Sequence, residues 1–318
     1  MVPTWKHGIG LGLFIGLIFV VFLVFEQDAV APTIVDIETV QPEQVLVPEP
    51  PKIIELPFGG TNLIPTYRFV ALYGSPTFKS LGSLGEQDLE QTIARVKDLA
   101  AQYQPLSEEK VIPTFEIITT VASAGLTENN DYSQELDPST IKPWIDRAKE
   151  QGVYIVLDLQ PGRTSFINQA KQYESLLLEP HVGLAVDPEW RLQTDKDRHL
   201  VKVGSVSAEE LNQTSNWLAD LVSENNLPQK LFVIHQFKQS MISNREALDT
   251  SRKELAYSIH VDGFGRLSSK TETWNVIKTG LPNNIYLGWK NFFDEDKPTP
   301  TPEQTMAQVP KPWFISYQ

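Results

Sequence analysis

The feature of this sequence that most constrains its fold is a series of short apolar segments that each end near a polar or charged residue. Two are clear, Tyr154-Ile-Val-Leu-Asp158 and Gly183-Leu-Ala-Val-Asp187, and both stop at a carboxylate. A segment that is apolar on both faces is typical of a buried parallel strand. Helical patterns separate most of these segments, whose ends fall near residues 73, 116, 158, 187, 235, 262, 289 and 317. The alternation predicts an α/β fold, a (β/α)8 TIM barrel.

The predicted barrel spans residues 67–318, and these 252 residues match the roughly 250 that such a barrel normally needs. The alternative is an open doubly wound sheet, which normally has a glycine-rich turn after its first strand. The segment Tyr73-Gly-Ser-Pro76 lacks that pattern. Because the carboxyl ends of barrel strands converge on one face, where the active site lies, residues that end the strands are the candidate site residues.

The first 25 residues contain an apolar run, residues 8–25, that carries no charge. As a helix these 18 residues would be about 27 Å long, close to the hydrocarbon thickness of a bilayer. Lys6 before the run and Glu26 and Asp28 after it favour an N-terminus inside the cell. We therefore expect residues 1–25 to be a signal anchor with a transmembrane helix, which would place the barrel outside the plasma membrane. The alternative is a signal peptide cleaved after Ala31, which would make the protein secreted.

Residues 26–66 hold seven prolines and seven acidic residues against one base, Lys52. This composition predicts a disordered linker between the anchor and the barrel. The formal net charge of −13 argues against nucleic acid as a partner, because such proteins carry a basic surface. The absence of cysteine excludes disulfides, thiol nucleophiles and cysteine metal ligands. No tight metal-ligand spacing is present, so we expect neither a metal nor another cofactor.

Asp187-Pro-Glu189 is the sharpest functional motif. Residues two apart on an extended segment point the same way, so both carboxyl groups can face one cavity and push their pKa values apart. One protonated and one charged carboxyl group are what glycoside hydrolysis requires. The motif predicts Glu189 as the general acid and Asp187 as a supporting carboxylate. The alternative is that Asp187 caps the following turn and that Glu189 is a solvated loop residue.

Two further acids are predicted to take part in catalysis. Asp158 ends the strand that neighbours the Asp187 strand and can reach the same cavity, although it could instead pair with Arg163 or Arg191. Glu116 lies within Thr114-Phe-Glu-Ile-Ile118, where an unpaired buried carboxylate would be costly. Glu116 must therefore point into the mouth of the barrel or find a partner.

A larger group of residues at or just past the strand ends is predicted to bind substrate. Aromatic faces stack on sugar rings, and an arginine can hold an anionic or carbonyl group with two hydrogen bonds. For each of them a structural role, such as core packing or neutralising an acid, is the alternative. The group consists of Tyr73, Arg163, Trp190, Arg191, His235, Gln236, Asp262, Trp289, Lys290 and Tyr317.

Four segments carry a resemblance to known proteins: Tyr73-Gly-Ser-Pro76, Asp158-Leu-Gln-Pro-Gly-Arg163, Asp187-Pro-Glu-Trp-Arg191 and Gly288-Trp-Lys-Asn-Phe-Phe-Asp294. They resemble a group of uncharacterised bacterial, largely actinobacterial, cell-surface and lipoprotein-like TIM-barrel proteins. The resemblance covers nearly all of residues 67–318 and implies no established activity.

A second, local resemblance concerns only the strand that ends in Asp187-x-Glu189. It is similar to the fourth-strand ending of chitinase-type and muramidase-type glycoside hydrolase barrels. That resemblance implies Glu189 as the general acid and Asp187 as a residue that orients the substrate. The chitinase-type pattern has further acids before the pair, where this sequence has Gly183 and Ala185.

These observations lead to a glycoside-hydrolase-like barrel outside the cytoplasm, which acts on a cell-envelope or extracellular glycan. Two alternatives stay open. The same pocket could bind a glycan or an envelope partner without turnover. Alternatively, Asp158, Asp187, His235 and Asp262 could be the ligands of a metal-dependent hydrolase.

Overall fold

The computed structural model describes residues 53–194 and 196–318. Eight parallel strands each pair with the next along the chain, and the first also pairs with the last, which closes a barrel. This confirms the predicted TIM-barrel fold. The strands are β1 (Tyr67–Gly74), β2 (Lys110–Ala122), β3 (Tyr154–Leu159), β4 (Val182–Val186), β5 (Lys230–His235), β6 (Leu255–Val261), β7 (Ile285–Asn291) and β8 (Phe314–Tyr317).

Helices cover the outside of the barrel. They are α1 (Leu89–Tyr103), α2 (Pro138–Gln151), α3 (Phe166–Gln172), α4 (Glu174–Leu177), α5 (Ala208–Glu224), α6 (Leu267–Ile277) and α7 (Pro302–Met306). Between β5 and β6 the structure has two short 3-10 turns, Gln239–Met241 and Arg245–Ala247, where the other connections have an α-helix. A short strand, Ser133–Glu135, extends the barrel sheet by pairing antiparallel with β2.

The two faces of each strand have different surroundings. Side chains on the outer face pack under the helices, whereas those on the inner face fill the barrel. In the lower part of the barrel the inner face is apolar, with Phe69, Ala71, Ile112, Tyr154, Val156, Ala185, Leu231, Val233, Ala256 and Phe314. Side chains alternate along a strand, so the inward positions nearest the carboxyl ends are Tyr73, Glu116, Asp158, Asp187, His235, Asp262, Lys290 and Ser316, with Thr114, Ser258 and His260 below them. A polar layer therefore rests on an apolar interior.

Residues 53–66 cover the opposite, amino-terminal end of the barrel. Leu56, Leu63 and Ile64 are buried and join the apolar interior. The Leu63 amide donates to the Gln229 side chain at 2.8 Å, which ties this segment to the start of β5. The sequence assigned residues 53–66 to the disordered linker, and the structure corrects that boundary. The few apolar residues among the prolines pack against the apolar side chains at the amino-terminal end of the barrel, and this packing orders the segment.

The predicted transmembrane segment, residues 8–25, lies outside the described residues, as do residues 26–52 of the predicted linker. Within residues 53–194 and 196–318 there is no helix with the length and apolar character that crossing a bilayer requires.

Candidate functional site

A cavity of about 760 Å³ opens at the carboxyl ends of the strands. Its wall combines acids, lysines and aromatic rings. The acids are Asp187, Glu189, Asp262 and Glu295, the lysines are Lys238 and Lys290, and the aromatic residues are Tyr73, Trp190, Phe237, Phe264 and Phe292. Three of the strand ends named by the sequence, Tyr73, Asp187 and Asp262, line this one opening at the face where a barrel places its site.

Beneath the cavity, one histidine connects three strands. His235 Nε2 lies 2.9 Å from Glu116 Oε1, and His235 Nδ1 lies 3.0 Å from Asp262 Oδ2. Asp158 Oδ1 lies 3.9 Å from the same Nε2 atom. Burial alone would lower the pKa of His235, but the charge of Glu116 and the hydrogen bonds to Asp262 and Glu116 outweigh it and raise the pKa well above its usual value. His235 is therefore a buried imidazolium held between carboxylates.

A second group of contacts surrounds Asp158. The Tyr73 hydroxyl donates to Asp158 Oδ2 at 2.9 Å, and the Gln160 amide donates to the Tyr73 oxygen at 3.2 Å. Burial and the neighbouring acids raise the pKa of Tyr73, so the phenol stays protonated and keeps this donor. The Lys290 ammonium lies 3.4 Å from the centroid of the Tyr73 ring. Sequence reasoning did not select Gln160, although it lies two residues after Asp158 and so follows the same alternation.

The Asp187-Pro-Glu189 motif is a strand end that becomes a turn. β4 ends at Val186, and Pro188–Trp190 forms one 3-10 turn. Asp187 Oδ1 accepts a hydrogen bond from the Glu189 amide at 3.1 Å. Asp187 therefore caps the turn, as the structural alternative expected, and it also lines the cavity together with Glu189. Asp187 is thus both a turn cap and a cavity residue, and its catalytic role stays a prediction.

Burial is the main influence on the pKa values of these acids. It raises the pKa of Glu189 to about 7, and the charge of Asp262 acts in the same direction. Burial also raises the pKa of Asp158 and, more strongly, that of Asp187. The site thus contains carboxyl groups whose pKa values are raised, beside Asp262, which a cationic His235 contacts.

The donor set for a metal is incomplete as the side chains stand. Donor atoms of Asp187, His235 and Asp262 lie within 4.8 Å of one another, the spacing that a shared ion would need. Both ring nitrogens of His235, however, already contact carboxylates. A metal would have to replace one of those contacts, so these residues do not present a ready histidine ligand.

Three residues predicted to bind substrate have side chains that point away from the cavity. Trp289 is buried against Trp274 of α6, with ring centroids 5.6 Å apart. The Tyr317 hydroxyl lies 2.5 Å from the hydroxyl of Tyr103 of α1. Gln236 is buried too, and its amide oxygen accepts from Arg245 at 3.0 Å. Each is next to an inward residue, Lys290, Ser316 or His235, and so lies on the outer face of its strand.

The two predicted arginines support loops beside the site. Arg191 Nε donates to Glu210 at 2.9 Å, and its Nη1 donates to the carbonyl oxygens of Leu192 at 2.7 Å and Arg163 at 3.1 Å. The guanidinium carbon of Arg163 lies 4.6 Å from the centroid of the Tyr132 ring. Neither arginine is among the residues that line the cavity.

Several cavity residues were missed by sequence reasoning. Phe237 and Lys238 follow β5, Phe264 follows β6, and Phe292 follows β7. All lie one to three residues beyond a strand end, in loops whose direction the strand alternation does not fix. Phe264 is 68% exposed and lines the cavity, which makes its ring accessible to a ligand there.

No protein-family model matches the sequence, and no curated protein matches it. Solved structures with some likeness include the β-mannanase of Thermomonospora fusca in complex with mannotriose, at 14% identity and a TM-score of 0.42, covering 79% of this chain and 78% of that one. Another is 3-keto-D-glucoside 4-epimerase from E. coli, at 11% identity and a TM-score of 0.41, covering 78% and 90%. At these identities the likeness concerns the fold alone. The predicted resemblance to actinobacterial surface proteins gains no support and stays a prediction.

Proposed function

We propose that this barrel is a glycoside-hydrolase-like enzyme that acts on a cell-envelope or extracellular glycan, with Glu189 as its general acid. One observation carries the proposal. Two carboxyl groups on the same cavity wall, Glu189 and Asp262, have environments that give them different tasks. Such a division is the requirement of glycoside hydrolysis.

Glu189 suits the role of acid. Its side chain is half-buried on the cavity wall, and its pKa of about 7 leaves it substantially protonated at neutral pH. It would donate this proton to the glycosidic oxygen as the bond between that oxygen and the sugar carbon breaks. The electron pair of the broken bond stays with the oxygen, which leaves as a hydroxyl group.

Asp262 suits the role of the charged partner. Its Oδ2 is held by His235 at 3.0 Å, and its Oδ1 has no hydrogen-bond partner among the described residues. This second oxygen is buried in the structure. Asp262 nevertheless lines the cavity, and its carboxylate can stabilise the positive charge that develops on the sugar and then either form a bond to the sugar carbon or activate water. Asp187 and Asp158, beside and beneath this pair, remain supporting carboxyl groups.

The aromatic residues around the opening favour a sugar as the ligand. Trp190 and Phe264 line the cavity, and rigid apolar rings stack on sugars at little entropic cost. A location outside the cytoplasm is part of the proposal because of the apolar run at residues 8–25.

The test is release of reducing ends by the purified full-length protein from peptidoglycan, chitin-type, glucan and polyuronide substrates. Glu189→Gln removes the acid while keeping the side-chain shape. Glu295→Gln is the matched control, because Glu295 lines the same cavity but is exposed. Release that is lost in the first variant and kept in the second supports the hydrolase. If neither the wild type nor the control releases sugar from any substrate, the proposal fails.

The non-catalytic binding barrel is the alternative that this failure would favour. It predicts that the folded protein retains a glycan on a column and that Glu189→Gln retains it equally. A metal-dependent hydrolase would instead show a thermal shift with added divalent metal that Asp187→Asn abolishes.

A further inference from the structure

Three lysines are buried in the described part of the chain, and their surroundings differ. Lys230 Nζ donates to the carbonyl oxygens of Glu179 at 2.8 Å and Val182 at 2.7 Å. Lys270 Nζ donates to the carbonyl oxygens of Gly263 at 2.7 Å and Lys290 at 2.8 Å, and it pairs with Asp296 at 3.1 Å. Both ammonium groups therefore have oxygen acceptors in place of water.

Lys290 is the exception. Its side chain is only 3% exposed, yet no oxygen of the described residues accepts a hydrogen bond from its Nζ, and no carboxylate lies within ion-pair distance. Two rings are close to it, with the Tyr73 centroid at 3.4 Å and the Phe292 centroid at 5.2 Å, and its charge also lowers the pKa values of Asp158 and Glu189 against the effect of their burial. An ammonium group has three donors. Ring faces offset part of the cost of burying its charge but cannot accept three hydrogen bonds.

The open side of Lys290 is the cavity itself, since Lys290 is one of its lining residues. An oxygen acceptor delivered there by a ligand would complete the surroundings that Lys230 and Lys270 already have within the protein. A carboxylate is the acceptor that gains most, because a hydrogen bond between two charged groups is about twice as strong as a neutral one.

The acids on the cavity wall do not prevent this. Burial raises the pKa of Glu189 to about 7 and raises that of Asp187 well above its usual value, so both carboxyl groups carry less negative charge near neutral pH than solvated acids do. Of the two other acids on this wall, Asp262 is in contact with the cationic His235, and Glu295 is exposed to solvent. Lys238 adds a second positive charge at the mouth of the cavity.

We propose that the cavity takes an acidic glycan and that Lys290 holds the carboxylate of a hexuronate unit. The inference rests on the proposed function and names the substrate class for the same site. It distinguishes glycans that carry a carboxylate on the ring from glycans that do not, a distinction that the barrel fold alone does not make.

The experiment measures binding rather than turnover. Oligogalacturonate and oligomannuronate tetrasaccharides are titrated by calorimetry into the full-length Glu189→Gln protein, beside their methyl esters, which have the same rings without the charge. We expect at least one free acid to bind about tenfold more tightly than its ester, the size of one charge-assisted hydrogen bond. Equal binding of every acid and its ester would overturn the inference without any further variant.

Two variants test whether Lys290 is the residue that causes the preference for the free acid over its ester. Lys290→Met should bind acid and ester alike, whereas Lys238→Met should keep most of the preference, because Lys238 is exposed at the rim. A preference that survives in Lys290→Met would overturn the assignment. Should that variant fail to fold, Lys290→Arg, which keeps the charge, is expected to keep the preference, and its loss there would count against the inference.

The binding experiment and the hydrolysis experiment can contradict the two proposals independently of each other. Preferential binding of a hexuronate without any release of reducing ends would keep the substrate class and remove the hydrolase. Release from neutral glycans with no preference for the acid would keep the hydrolase and remove the substrate class.

Discussion

His235 Nε2 lies 2.9 Å from Glu116 Oε1, although the two residues are 119 positions apart in the sequence. The other ring nitrogen lies 3.0 Å from Asp262. One imidazolium thus joins β2, β5 and β6 beneath the cavity. The contact matters for stability because two buried carboxylates share this cation.

Replacing His235 with glutamine should destabilise the fold strongly. The change leaves Glu116 and Asp262 without their positive partner, and breaking a buried ion pair costs about 3–5 kcal/mol in free energy of unfolding. His181→Gln is the control, because His181 is equally buried but bonds only to the Ile145 carbonyl at 3.0 Å. Urea unfolding should show the larger loss for His235→Gln, and equal losses would contradict the ion-pair assignment.

Stability should decrease as pH rises above about 4.5. The folded-state pKa of Glu189 is raised from 4.5 to about 7, so its contribution is complete below 4.5 and lost as pH rises toward 7. The pKa of His235 is also raised, so its contribution is complete below about 6.5 and lost at higher pH. Urea midpoints between pH 5 and 8 test this, and Glu189→Gln should flatten the acidic part of the curve. A midpoint that rises steadily from pH 5 to 8 would show that other groups dominate.

Catalysis should also depend on the Glu189 proton. Hydrolysis should fall as pH rises above about 7, because the acid form is then lost. Glu189→Gln should reduce kcat by about 10²–10⁴, the usual contribution of a general acid. A pH–rate profile of the wild type and of Glu295→Gln provides the measurement, with the two expected to coincide. A wild-type rate that keeps increasing above pH 8 would exclude Glu189 as the acid.

Replacement of Trp190 should affect glycan binding, whereas replacement of Trp289 should affect the stability of the fold. Trp190→Ala should weaken glycan binding about tenfold while changing stability little, because Trp190 is half-buried on the cavity wall. Trp289→Ala should cost about 3–5 kcal/mol in free energy of unfolding, because that ring is 1% exposed between β7 and α6. Calorimetric titration and urea unfolding of both variants separate the two roles. A glycan-binding defect in folded Trp289→Ala larger than that of Trp190→Ala would reverse the assignment.

Gly183 should tolerate no larger residue. A Cβ atom there would lie 2.7 Å from the Leu231 carbonyl oxygen and 2.8 Å from the Tyr154 hydroxyl inside the barrel. Gly183→Ala should therefore cost about 1–3 kcal/mol, the usual effect of overpacking. Gly125→Ala is the control, since nothing lies within 4 Å of its Cβ position. Thermal unfolding compares them. Unchanged stability in Gly183→Ala would mean that the Tyr154 ring can move aside.

The fold was predictable because its strands are buried on both faces, which leaves long apolar runs between helical patterns. The strand ends then located Asp158, Asp187 and Lys290 correctly at the cavity or beneath it. The prediction selected Trp289 and Tyr317 by position along the strand without testing their direction. The same alternation of side chains that places Asp187 on the inner face places the rings of Trp289 and Tyr317 on the outer face, because each is the neighbour of an inward residue, Lys290 or Ser316.

Other features had no local signal. The contacts of His235 join strands far apart in sequence, so only the closed barrel brings them together. Residues 53–66 resemble a linker in composition, yet their few apolar side chains meet a complementary surface that the composition of the segment does not reveal.

The covering formed by residues 53–66 closes the amino-terminal end of the barrel. Apolar side chains fill the interior below the polar layer, and Leu56, Leu63 and Ile64 seal its base. A molecule in the cavity therefore cannot pass through the barrel to its amino-terminal end. Substrate entry and product release would therefore both take place at the carboxyl ends of the strands.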